Sequence, residues 1–211
     1  MTKMNLKKAS LLLIFGLIYT VFYKAVIGLI PFASSSVFLN NVLSVSLFIS
    51  ALSIILFVVY FFKEVVPLNQ RIKISLQLIF FFTSMIILLK LPIELLPQNI
   101  KLRDLIFEIS RLGNSISILL FFIYSDKIIS LKSFRLPIKL AIWGFSMGII
   151  LGFVSFVYYL NFFITGNEIV SFPPLQYLAV IIFLFTYGVV INFLIKFAKV
   201  GDYSEFGKKR L

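Results

Sequence analysis

Four side chains on one short stretch carry most of the chemistry open to this sequence. Asp104, Glu108, Arg111 and Ser115 follow one another at spacings of four, three and four residues. On a helix those spacings return to one face. Ser110, Asn114 and Ser117 form an adjacent stripe. Such a face can hold a polar solute or an ion, with Glu108, Arg111, Asn114 and Asp104 as the candidate ligand-binding residues. A plainer reading uses the same residues. Glu108 and Arg111 would form a local ion pair at a membrane interface, with the long side chains reaching for water.

Lys24 is the other candidate. It lies on a stripe with Gly16, Thr20 and Gly28, each four residues from the next. Small residues on one face let another helix approach closely. A lysine among them is expected either to meet Glu108 or to extend to the outer headgroups. Lys90 and Glu94 are expected at those headgroups.

Much other chemistry is excluded outright. The chain has no cysteine and no histidine. That removes disulfides, thiolate nucleophiles, iron–sulfur ligation, a Ser–His dyad and an H-E-x-x-H zinc site. The eight Asp and Glu residues are scattered, so no metal site and no cofactor are expected. No two carboxylates are placed together for an intramembrane enzyme acting on lipid, and the chain reads as non-enzymatic. A net charge of +12 does not point to nucleic acid, because the basic residues cluster at the ends of apolar segments, where membrane topology places them.

The elements that position these residues are membrane helices. Hydrophobic residues make up 61% of the chain and mean hydropathy is +1.08, far outside the range of soluble domains. Residues 25–62, 140–167 and 169–195 carry no charge at all. About 20 apolar residues suffice to cross a bilayer as a helix, and lipid leaves no other way to satisfy continuous backbone. The expected architecture is all-α: a single polytopic domain over 1–211, a bundle of six transmembrane helices at about 9–30, 37–62, 74–91, 105–124, 138–164 and 175–195. The basic residues Lys3, Lys7 and Lys8 precede an apolar run, yet no small-x-small cleavage pattern follows Tyr23, so this run is read as a retained first span.

The fourth span is the ambiguous one. Its uncharged part, Leu112–Ser125, is too short to cross alone and must take in Glu108 and Arg111. The segment Gln98–Leu112 is amphipathic and either lies in the interface and turns at Gly113 or continues as one helix. Charge favours six spans over five. The N-terminal tail, the 63–73 and 126–139 loops and the C-terminal tail hold 15 of the 20 basic residues, and the 31–36 and 165–174 loops hold none. The positive-inside rule then gives N-in/C-in in the cytoplasmic membrane.

Gly144, Gly148 and Gly152 form a doubled G-x-x-x-G. It is expected to be a helix-packing face, for an internal helix, another membrane subunit or a second copy of the chain. Ser46, Ser50 and Ser53 read as packing residues with hydroxyls bonded back to their own helix. Trp143, Tyr158, Tyr159 and Tyr177 read as interfacial or packing aromatics.

Two functional readings follow. In the first, the chain is an accessory, sensor or assembly subunit acting through helix packing. In the second, it is a small-solute transporter or binding subunit with its polar site on the fourth span. A polar cavity reaching the middle of the bundle favours the second, and a filled core with an outward groove favours the first.

Overall fold

The computed structural model describes residues 5–29, 37–65, 69–90, 100–129, 132–165 and 173–200. They form six helices: α1 (Leu6–Leu29), α2 (Val37–Glu64), α3 (Gln70–Lys90), α4 (Ile100–Ile128), α5 (Lys132–Thr165) and α6 (Pro173–Ala198). Among the described residues, five segments are long and apolar enough to cross a membrane: Val45–Glu64, Gln70–Leu89, Leu102–Lys127, Lys132–Thr165 and Tyr177–Ala198. By length and composition the chain is a multi-pass membrane protein. α1 contributes a further 24 helical residues.

Each helix packs on the next in sequence, and α6 closes back on α1. The result is a ring of antiparallel neighbours. One end gathers the starts of α1, α3 and α5 and the ends of α2, α4 and α6. Lys7, Lys8, Lys63, Arg71, Lys73, Lys127, Lys132, Arg135, Lys139, Lys196 and Lys199 all belong to this lysine-rich end.

Local caps fix the helix starts there. The Asn5 carboxamide oxygen accepts the Lys8 N–H at 3.0 Å, and that of Asn69 accepts the Arg71 N–H at 2.9 Å. Asn is a preferred residue for this role because its side chain satisfies an N–H left without an intrahelical partner. The Leu6 N–H donates to Glu64 Oε1 at 2.8 Å. A carboxylate from the end of α2 thus sits on the positive end of the α1 dipole.

Outward faces are apolar and regular. Leu11, Phe15, Ile18 and Phe22 on α1, Ile74, Phe81 and Leu88 on α3, Leu102, Ile109 and Ile116 on α4, and Tyr177, Ile181 and Phe185 on α6 are all exposed. Their spacings of three, four and seven keep each set on one side of its helix. Trp143 and Tyr158 are also exposed.

Inside the ring, the half nearer the lysine-rich end is filled with phenylalanine. Phe61 of α2 lies 5.5, 5.7 and 5.6 Å between ring centroids from Phe57, Phe121 and Phe197. Phe122 of α4 lies 5.4, 6.0 and 5.2 Å from Phe121, Phe145 and Phe193. Phe134 of α5 joins through Phe193 at 5.4 Å. These contacts link α2 to α4 and α6, and α4 to α6, helices that are not neighbours in the ring. Edge-on and offset ring contacts of this kind stabilise beyond simple area burial.

Helices α1, α3, α4 and α5 run past the expected spans. α4 runs unbroken from Ile100 to Ile128 through Gly113, so there is no turn into the membrane at that residue. Gly113 serves instead as a seat for the Phe82 ring, because a Cβ there would come within 2.5 Å of it. α5 begins at Lys132 and passes through Pro137, well before residue 138. Proline removes the N–H that would bond the carbonyl four residues back. That carbonyl belongs to Ser133, and it accepts a hydrogen bond from Lys196 Nζ of α6 at 2.9 Å. The lysine replaces the donor that the proline lacks.

Candidate functional site, a polar interior above the phenylalanine layer

On α4 the exposed stripe Leu102–Ile109–Ile116 defines the outward side. Arg111 falls roughly opposite, on the face that continues through Ile118 to buried Phe122. Arg111 therefore points into the ring. On α1, Lys24 continues the face of Leu6, Leu13, Leu17 and Thr20, all buried. In a ring of six, α1 and α4 stand across from each other, so the two cations approach from opposite walls. Counting about 1.5 Å of rise per residue from the lysine-rich end, Lys24 and Arg111 come out at nearly the same height, roughly 26 Å, and Glu108 a few ångströms higher.

Glu108 Oε2 and Arg111 Nη2 are 2.7 Å apart, with the carboxylate side chain 16% exposed and the guanidinium side chain 48% exposed. Lys24 is partly buried and lies within electrostatic reach of both. Asp104 is less central, its Oδ1 3.7 Å from Arg103 Nε. Asn114 turns toward α3, where its Oδ1 accepts a hydrogen bond from Thr83 Oγ1 at 3.3 Å.

The hydroxyls that widened the polar face are committed elsewhere. Ser110, Ser115 and Ser117 donate to the carbonyls of Ile106, Arg111 and Gly113 at 2.8, 3.0 and 2.7 Å. What remains for a ligand is the Glu108–Arg111 pair, Lys24 and the Asn114 amide.

The small-residue stripe on α1 does let a helix approach closely. Ser50 Oγ donates across to the Gly16 carbonyl at 2.7 Å and lies 2.6 Å from Thr20 Oγ1. Thr20 Oγ1 also donates to the Ser46 carbonyl at 3.2 Å. Of Ser50 and Ser53, only Ser53 bonds back to its own helix, donating to Ile49 at 2.8 Å. Ser50 differs because Gly16 brings the two backbones together: a Cβ on Gly16 would lie 3.2 Å from Ser50 Cα. Glu94, the Lys90 side chain, Tyr159 and the surroundings of Gly28 lie outside the described residues.

The glycines of α5 are not equivalent. Exposed Trp143, Ile150, Phe153 and Val157 define the outward side, and the glycines lie on the other side. Gly144 is pressed against Thr186 of α6, where an added Cβ would collide with the hydroxyl. At Gly152 it would touch Leu112 of α4 at 3.4 Å, and at Gly148 it would meet nothing within 4 Å. The stripe thus runs along the inside of the ring and reaches open space at Gly148, roughly 24 Å above the lysine-rich end by helix rise. Leu47 behaves similarly. It shares the face of Ile54, Val58 and Phe61, yet it is 40% exposed where Phe61 is 2% exposed.

Tyr187 is a site residue that the sequence did not single out. Its ring lies tilted against that of Phe183 at 4.2 Å between ring centroids, and it is within electrostatic reach of Arg111. Its spacing to Phe183, Val190 and Leu194 puts it on the inward face of α6, a signal hidden among many apolar neighbours. Among the described residues, no group of three acidic side chains comes together to hold a metal ion.

The fold and this interior define a helical multi-pass membrane protein with a charged cluster between its helices. No protein-family model, no curated protein and no solved structure matches the chain.

Proposed function

We propose that the chain is an integral membrane protein of six spanning helices, with both termini on the cytoplasmic side, and that its ring binds a small polar solute in an interior open to the outer side. The orientation follows from the lysine-rich end, which the positive-inside rule assigns to the cytoplasm. The binding reading rests on one observation above others: Arg111 points into the ring, is paired with Glu108, and is still half exposed. A charge in the membrane is costly unless it faces a partner or water; Arg111 has Glu108 as its partner, and its exposed half calls for water. Lys24, Leu47 and Gly148 lie on inward faces at a similar height by helix rise, and the phenylalanine layer lies nearer the lysine-rich end.

The reading as an accessory or assembly subunit draws on the Gly144, Gly148 and Gly152 face as a dock for another subunit or a second copy. That use needs an outward groove. The inward course of the stripe supports the solute-binding reading instead.

The absence of native cysteine allows a clean test. Single replacements Leu47→Cys, Arg111→Cys and Gly148→Cys should react with a membrane-impermeant thiol reagent applied to the outer side of intact vesicles. Phe61→Cys should not react from either side. Unreactive Leu47→Cys and Arg111→Cys would mean a closed, dry interior and would defeat the proposal.

A further inference from the structure

A different site lies on the outer wall of the ring. The α2–α3 seam is the loosest of the six. Near the lysine-rich end, a groove of about 420 Å³ there is lined by Val58, Val59, Phe62, Lys73, Gln77 and Phe80. Val59, Lys73, Gln77 and Phe80 are exposed, so the groove opens sideways into the membrane.

We propose that this groove holds one anionic phospholipid, its phosphate at Lys73 and the first part of one acyl chain along Val59 and Phe80. The proposal rests on the chain lying in a membrane and is independent of the solute site.

The order of side chains carries the inference. Along α3, Lys73 is nearest the lysine-rich end, Gln77 stands one turn further in and Phe80 about one turn beyond that. With about 1.5 Å of rise per residue, Gln77 and Phe80 lie roughly 6 and 10 Å deeper than Lys73. A phospholipid presents groups in the same order: a phosphate, then ester carbonyls, then hydrocarbon. An ammonium suits the first, an amide N–H the second and apolar side chains the third.

Length argues against a second helix as the occupant. A groove of roughly 10 Å covers about a third of the 30 Å hydrocarbon core, far less than the seam a docked spanning helix makes. Charge selects the lipid class. Lys63 is exposed directly after Phe62, and the nearby carboxylate, Glu64, is engaged by the Leu6 N–H. Basic pockets between helices at the cytoplasmic side are a recurrent place for anionic headgroups.

Lipid retention by the purified full chain, measured by native mass spectrometry, tests this. Phosphatidylglycerol should be retained over phosphatidylcholine by about five-fold, the effect of one lysine at a membrane surface. Lys73→Gln should remove that preference. Val59→Trp, which fills the groove, should lower retention of both lipids. Lys132→Gln, at the same end but on α5, should leave the preference intact. Equal retention of the two lipids by the parent chain would overturn the proposal. So would a loss in Lys132→Gln as large as in Lys73→Gln, which would reveal a diffuse basic surface in place of a site.

Discussion

The two halves of the ring interior solve opposite problems with the same helices. Near the lysine-rich end, phenylalanines from α2, α4, α5 and α6 meet across the middle and bury one another. Further along, the inward positions of the same helices include Leu47, Arg111 and Gly148, where Leu47 and Arg111 are exposed and a Cβ on Gly148 would meet nothing within 4 Å. In lipid no hydrophobic effect drives helices together, so packing and polar contacts must do it. The aromatic half holds the ring closed and frees the polar half from that task. A half-exposed ion pair can then persist in the interior without unravelling the bundle.

The largest effect should come from breaking the closed half. Phe61→Ala removes the ring that joins α2 to α4 and α6 and should cost about 3–5 kcal/mol of stability, read as a lower thermal midpoint in detergent. If Phe61→Ala were no worse than an alanine at an outward phenylalanine such as Phe81, the aromatic layer would not be what closes the ring.

The border between the halves should show in neighbouring glycines. Gly144→Ala forces a methyl into Thr186 and should destabilise by about 1–3 kcal/mol. Gly148→Ala, one turn on, should be close to neutral, because its methyl meets only open space. Equal losses at the two positions would place Gly148 in a packed interface after all.

In the polar half, Glu108→Gln leaves the Arg111 cation uncompensated. The loss should be about 2 kcal/mol, below the 3–5 kcal/mol of a fully buried pair because Arg111 is half exposed. Adding Arg111→Gln should restore part of it. Strictly additive losses in that double-mutant cycle would mean that the two side chains act independently.

The smallest effect tests the lysine-rich end. Lys196→Met leaves the Ser133 carbonyl without its donor and should cost about 1 kcal/mol. The same change made with Pro137→Ala should cost less, because alanine returns the backbone N–H. A loss unchanged by Pro137→Ala would mean that Lys196 stabilises by charge alone.

How much of this was legible in the sequence depends on contrast. The apolar runs stand out because charges bound them, so the long apolar helices were readable. Their ends were not, because α3, α4 and α5 extend past the hydrocarbon limits into their basic flanks. The α5 start lies before Pro137, where the Lys196–Ser133 contact supplies the donor that the proline lacks. Charged candidates were visible against an apolar background, and the structure brings Lys24 into reach of Glu108 and Arg111. The phenylalanine layer had no such contrast. With 26 phenylalanines in the chain, inward and outward rings differ only in facing, which apolar runs on every side do not reveal. The hydroxyl stripe on α4 misled in the other direction, since its serines mostly bond their own helix.

The phenylalanine layer also has an electrical meaning. Across a polarised membrane, voltage drops where the material is dry and hardly at all where water enters. In the proposed orientation, with the polar interior open to the outer side, most of the potential would fall over the aromatic layer, and Arg111 would stay electrically close to the outer solution. A charged solute reaching Arg111 from outside would cross little of the field. Carrying that charge on through the layer would draw on nearly all of it, about 2.3 kcal/mol per unit charge at 100 mV. Holding potential would then leave occupancy of the site almost untouched while setting the rate of any passage beyond it.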